Sequence, residues 1–237
     1  MESASGGHRS GLPHHQTLEA LVDWSHDQLS PADRAVLRRL SVFVGGWSIE
    51  SAELVCAGDG IENWDILDSL ARLVEKSMVE MDYERGRKSR QARYRMLETV
   101  REYARRKLLA AQEESPVGVR FREAIVQLAE TAETHLAGPE QMSWFARLDA
   151  DNENLGAAMD DAARNDLPLA LRLAGALGRY WDVRGRWSEG RERLADLLAH
   201  PESTYSPAVR AKALAWAGIL AGNQGDFPEA ARLLGES

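Results

Sequence analysis

The sequence predicts a mostly α-helical chain in which a small β-hairpin completes one helical domain and a helical superhelix follows. Three observations carry this. Val79, Met81 and Tyr83, then Ala92, Tyr94 and Met96, alternate with polar neighbours as half-buried strands do, across a polar turn at 84–91 containing Gly86. From Leu97 the period becomes helical: Leu97, Val100, Ala104 and Leu108 form one stripe, so residues 93–107 read as a strand running straight into a helix. Finally, Gly185-Arg-Trp-Ser-Glu-Gly190 is matched by Gly225-Asp-Phe-Pro-Glu-Ala230, forty residues later.

Residues 1–16 are Gly, Ser, Pro and His with little apolar content, and read as a flexible linker; the adjacent His14 and His15 do not share a helix face. Thr17 caps an expected helix with Leu18, Leu21, Val22, Ser25 and Leu29 inward. Ser30-Pro31-Ala32-Asp33 supplies an N-cap, a proline at the first position and an acid at the third. That second helix carries Val36, Leu37, Leu40 and Phe43 until Gly45-Gly46 stops it. Ser48 caps a third, short helix through Ala57, closed by Gly58-Asp59-Gly60. Asn63 opens a fourth, with Ile66, Leu67, Leu70 and Val74 inward. Then come the hairpin, with Arg93 and Arg95 on the face opposite Ala92, Tyr94 and Met96, and the helix in which Glu98 suits the first turn. Several helices, a basic-tipped hairpin and a closing helix make a winged-helix arrangement over 17–112.

After Pro116 the pattern is helical to the end. Val119–Leu136 is one amphipathic stretch broken by Gly138-Pro139. Trp144, Phe145 and Leu148 mark a short helix, Asp151 or Asn152 caps another through Ala163, and Asp166 with Pro168 opens the next. Residues 113–165 are expected to form a helical connector and 166–237 truncated repeats. Small residues precede each repeat turn, Ala174, Gly175 and Gly178, then Ala213, Ala215 and Gly218, and let paired helices approach closely. Turn glycine, aromatic and small residue resemble the tetratricopeptide (TPR) pattern, with the excess over its usual period of about 34 residues falling in 200–207.

Composition narrows the function. A net charge of −8 argues against simple coating of nucleic acid, but it is unevenly spread. Between Arg85 and Lys107 the balance is +8, which leaves −16 for the remainder. No apolar run is long enough to span a membrane, and the N-terminus lacks the apolar stretch of a signal peptide. The lone Cys56, in an apolar run, fits a small core residue in a reducing, cytoplasmic setting.

Residues 15–29 (HQTLEALVDWSHDQL), 37–57 (LRRLSVFVGGWSIESAELVCA), 73–79 (LVEKSMV) and 93–104 (RYRMLETVREYA) together resemble the region after the nucleotide-binding core in bacterial STAND-class signalling ATPases, including large LuxR-like transcriptional regulators. Residues 136–159 are similar to the first helices of their superhelical repeats. The resemblance covers roughly residues 12 to 237. It implies an ATPase, then a winged helix, then repeats that sense a ligand or partner. This chain has no GxxxxGK[ST] sequence, so ATP or ADP is implied only where an ATPase domain accompanies it, and no cofactor is expected for the chain itself. The family's Met-His-Asp nucleotide-sensor signature is replaced here by Met96, Leu97 and Glu98. Leucine donates no hydrogen bond, while Glu98 remains suited to cap a helix.

Two roles compete for the basic wing of Arg85, Arg87, Lys88, Arg90, Arg93 and Arg95. A winged helix can set such a wing on DNA phosphates, but the helix that would enter the groove carries Glu62, Asp65, Asp68 and Glu75 against Arg72 and Lys76. The favoured role is therefore docking onto protein: the wing and an Arg101, Arg105 and Arg106 face meet an ATPase domain, the acidic repeats or a signalling partner. DNA is the second expected partner. In the repeats, Arg172, Arg179, Lys212 and Asn223 fall on the face that lines a TPR-type groove and suit an acidic peptide or carboxylate. Trp181, Trp187 and Trp216 have the spacing of helix-pair packing. No catalytic or metal site is expected. The histidines lack ligand spacing, consecutive Ser25-His26-Asp27 cannot converge as a triad, and Glu113-Glu114 and Asp160-Asp161 read as solvated.

Overall fold

A computed structural model of the chain describes residues 12–83, 92–201 and 206–237. Helix α1 (Leu12–Asp27) starts ahead of Thr17, so part of the expected linker is helical. Its inward positions are Val22 and His26, followed by Leu29, while Leu21 is exposed. Helix α2 (Pro31–Leu40) opens as anticipated: the Ser30 hydroxyl accepts from the Asp33 amide and donates back to the Asp33 carboxylate. It stops at Leu40, before Phe43. The Gly45-Gly46 pair is needed for approach rather than for stopping the helix, since a Cβ on Gly46 would lie 3.0 Å from the Tyr94 carbonyl oxygen.

The short strand β1 (Trp47–Ser48) leads into α3 (Ile49–Cys56), capped by the Ser48 hydroxyl. Helix α4 (Asn63–Glu75) follows, then β2 (Glu80–Tyr83) and β3 (Ala92–Arg95). The expected two-stranded hairpin is a three-stranded antiparallel sheet of order β1-β3-β2, with Trp47 opposite Tyr94 and Met81 opposite Tyr94 on the other side. Two residues were too few for a periodic signal, and β1 exists because β3 offers it a second edge. Helix α5 (Glu98–Ala110) buries Val100, Tyr103, Ala104 and Leu108 against α2. Leu97 is its N-cap and half exposed, so the inward stripe starts one turn later than expected.

Helix α6 (Glu114–His135) begins before Val119 and holds Pro116 in its first turn, where no amide partner is lost. Helices α7 (Gln141–Ala150) and α8 (Asn152–Asn165) follow. Asp151 stands at the N-cap position of α8, but its carboxylate makes no capping bond there. Two helix pairs complete the chain: α9 (Leu167–Val183) with α10 (Trp187–Ala199), and α11 (Pro207–Asn223) with α12 (Phe227–Glu236). Both first helices have 17 residues, and their starts are offset by the forty residues seen in the sequence. Gly185 and Gly225 take φ of 67° and 83°, and the residue after each donates back to Trp181 and Ala221 carbonyls, closing each first helix with a left-handed cap.

Small residues set the spacing of these helices. A Cβ on Gly178 would fall 2.1 Å from the Trp216 ring, so α9 and α11 touch through an indole lying directly on the glycine. Gly178→Ala should therefore destabilise the chain by about 1–3 kcal/mol through overpacking, despite alanine's better helix propensity. Urea unfolding measures this; a raised midpoint would show that the indole moves without cost.

Candidate functional site

In chain order α2, β1, α3, α4, β2 and β3 follow the sequence of helices and wing that defines a winged helix-turn-helix. The surface that matters is the outer side of α4. Ile66, Ser69, Leu70 and Leu73 face the core. Trp64 and Leu67 point away from it, 74% and 52% exposed. Leu67 was expected inside; the next turn of the helix shows why it is not, because Leu70 and Leu73 already fill the seam with α2 and α3. Glu62, Asp65, Asp68 and Glu75 are exposed around these two apolar side chains. Arg72 offsets them only in part, since its guanidinium is engaged first by Asp33 at 2.8–3.1 Å and interacts with Asp68 and Asp65 more weakly. The presented face is aromatic and acidic.

The wing divides. Arg85, Arg87, Lys88 and Arg90 lie outside the described residues. Arg93 turns inward, only 17% exposed, donating to both Asp151 carboxylate oxygens (3.1 and 3.0 Å) and to the Gly46 and Ala150 carbonyls (2.7 and 3.0 Å). Arg95 is exposed and pairs with Glu80 at 2.7 Å. Beside Arg93, Asn154 accepts from the Val44 and Gly45 amides and donates to the Gly46 carbonyl and Asp151. Sheet and helical region are thus latched through backbone polar groups of the turn before β1.

A second latch lies at the junction of α5 and α6. Glu113 receives two hydrogen bonds from Arg38 (2.7 and 2.9 Å) and two from Arg39 (3.0 and 3.4 Å). Arg39 is 1% exposed and also donates to the Cys56 and Gly58 carbonyls, both at 2.7 Å. The hydrogen bonds from Arg38 draw the Glu113 carboxyl down to about 2. Reading Glu113 as solvated was therefore mistaken: the arginine partners stand 74 and 75 residues away, beyond any local pattern. Asp161 likewise is paired, with Arg122. Cys56 is fully buried, and desolvation pushes its thiol up to about 12, which suits a packing role. His26 packs edge-on to Tyr103 at 5.4 Å, and burial lowers its pKa.

At the nucleotide-sensor-like position, Met96 is half-buried against the core and Leu97 makes no capping bond. Glu98 does not cap α5; it reaches along the helix to Arg101 (2.5 and 2.8 Å), whose hydrogen bonds lower its pKa. Of the arginine face, Arg105 pairs with Glu114 and Arg106 lies over the Tyr103 ring. Of the four residues expected to line a groove, Arg172, Arg179 and Lys212 reach α6 or its C-terminal end, and Asn223 reaches the end of α9. Arg172 pairs with Glu130, Lys212 crosses Gly175 to reach Glu133 at 2.6 Å, Arg179 donates to the Leu136 carbonyl, and Asn223 donates to Asp182. Trp181 is buried, and Trp187 and Trp216 are partly buried against the core. Among the described residues no cluster of His, Cys, Asp and Glu has metal-binding geometry, and no helix is long and apolar enough to cross a membrane.

The helices and wing of this region form a winged-helix domain, and residues 29–109 match the family model described as a winged helix-turn-helix domain. More of the chain is shared with two proteins named "Putative HTH-type transcriptional regulator", one from Mycobacterium tuberculosis and one from Mycobacterium bovis. Each is 36% identical over 220 residues, which is 91% of this chain and 24% of the relative. An "Uncharacterized protein" of Mycobacterium tuberculosis is 42% identical over 113 residues, 47% of this chain and 28% of that protein. The chain thus spans about a quarter of the length of the curated relatives it matches. No solved structure gives a significant match.

Proposed function

We propose that this chain is a regulatory segment acting through interdomain and protein–protein contacts, the arm of a STAND-type signalling switch whose nucleotide-binding core lies elsewhere. The observation that supports this best is the outer face of α4. A groove reader needs cations there to meet phosphates, and this face instead carries Trp64 and Leu67 within four acids. An exposed tryptophan beside leucine is the composition of a protein-contact anchor, and the acids favour a basic partner. The paired helices α9–α10 and α11–α12, read as TPR-like repeats, would add a groove at Arg172, Arg179, Lys212 and Asn223, where an acidic segment would have to displace Glu130 and Glu133 of α6. No catalytic role is assigned. DNA remains the second reading, carried by the names of the relatives and by Arg85, Arg87, Lys88 and Arg90 in the sequence.

Fluorescence anisotropy separates the two. The chain should show no submicromolar affinity for duplex DNA at low salt; tight binding that collapses as salt rises would favour the DNA reading. Trp64→Ser with Leu67→Ser in the native gene should change the host's transcript levels as deletion does, with the purified variant's thermal melt unchanged. Wild-type transcript levels would overturn the protein-contact reading.

A further inference from the structure

We infer that the cleft between the winged helix and the helices behind it binds a phosphate-bearing small molecule. The cavity measures about 730 Å³, room for a small organic ligand rather than a single ion. The turn after α2 and one side of α5 form one wall, and α6 and α8 form the other. Its charged lining is Arg101, Arg105, Arg122 and Arg164 against Glu114 and Asp161. Arg105 bridges to Glu114, and Arg122 and Arg164 share Asp161. Arg101 is held by Glu98 from outside the lining, and counting that acid still leaves more cations than anions. Hydrogen-bonding capacity is also left over. Arg122 is 12% exposed, and while its Nη1 serves Asp161, its buried Nε has no hydrogen-bond partner among the described residues.

Gly118 is the second, independent observation. It sits inside α6 with ordinary helical geometry, so the backbone does not require glycine, and the helix gives up roughly 1 kcal/mol relative to alanine. A Cβ there would stand 3.6 Å from Arg122 Nη1 and 4.0 Å from Asp161 Oδ2. The missing side chain thus keeps open the floor of the cleft, over its most buried ion pair. Guanidinium groups recognise phosphate by paired donors, and an anion with more than one charge would take over arginines from three helices that carboxylates now hold. Such a ligand would join Arg101 and Arg105 on α5 to Arg122 and Arg164 on α6 and α8, tying the winged helix to the helical region. None of this depends on the protein-contact reading of α4.

Isothermal titration of the whole chain with inorganic pyrophosphate at low ionic strength tests it. One saturable site is expected, while sodium chloride of equal ionic strength gives no binding heat. Gly118→Leu removes no charge and improves the helix, so it should melt no lower than the parent and bind pyrophosphate at least about tenfold more weakly. Arg105→Gln combined with Arg164→Gln should weaken binding by a similar factor, and this arm decides the matter if Gly118→Leu melts early. Absence of a saturable site, unchanged affinity in these variants, or sulfate binding as tightly as pyrophosphate would overturn the assignment.

Discussion

Glu113→Gln will lower the unfolding free energy at neutral pH by about 3 kcal/mol, the range found when one partner of a buried ion pair is removed. The carboxylate neutralises two arginines at once, and Arg39, 1% exposed, has only carbonyl oxygens and the distant Asp59 besides it. Glutamine keeps the shape and removes the charge. The pH dependence gives the test its sign. An unfolded glutamate titrates near 4.5, and the folded one is held down to about 2, chiefly by the hydrogen bonds from Arg38. The stabilisation is therefore complete above 4.5 and is lost as pH falls through the window toward 2. Urea unfolding of both proteins should show a gap that closes as pH is lowered through that window. A gap that stays constant there would mean that Glu113 contributes packing rather than charge.

Asn154→Leu should cost about 2 kcal/mol, because it removes three hydrogen bonds from part-buried backbone groups of one turn at once. Asn154 is 0% exposed, accepts from the Val44 and Gly45 amides at 3.0 and 3.3 Å, and donates to the Gly46 carbonyl at 2.8 Å. Leucine keeps the same number of side-chain heavy atoms, with greater bulk, but satisfies none of these groups. The turn before β1 would lose its anchor, and with it the support for Arg93 on Asp151. Hydrogen exchange should show the Val44 and Gly45 amides losing protection before the rest of the chain. Wild-type protection at both amides would place the latch elsewhere.

Local patterning specified most of the winged helix and of the two helix pairs in advance. The Ser30-Pro31 cap, the Ser48 cap, the Asp166 cap and the turns at Gly185 and Gly225 all act within one helical turn or one hairpin, where neighbouring residues hold the whole interaction. Strand β1 was not legible, since two residues carry no period and Trp47 is a strand residue only because Tyr94 lies opposite it. The outward turn of Leu67 was hidden for a related reason: its helical position permits either face, and occupancy of the seam by neighbouring helices decides.

By itself, then, the sequence determined the order of the helices and of the hairpin strands, the Ser30, Ser48 and Asp166 caps, the two glycine turns, the mostly helical class and the acidic character of α4, because these depend on contacts a few residues apart. Only the tertiary structure decided which charges are neutralised and where. Arg93 meets Asp151 across 58 residues and Arg38 meets Glu113 across 75, and the arginine cleft assembles from three helices and a turn. Coulombic pairing takes its partner from whatever packing brings near, and no spacing along the chain records that choice.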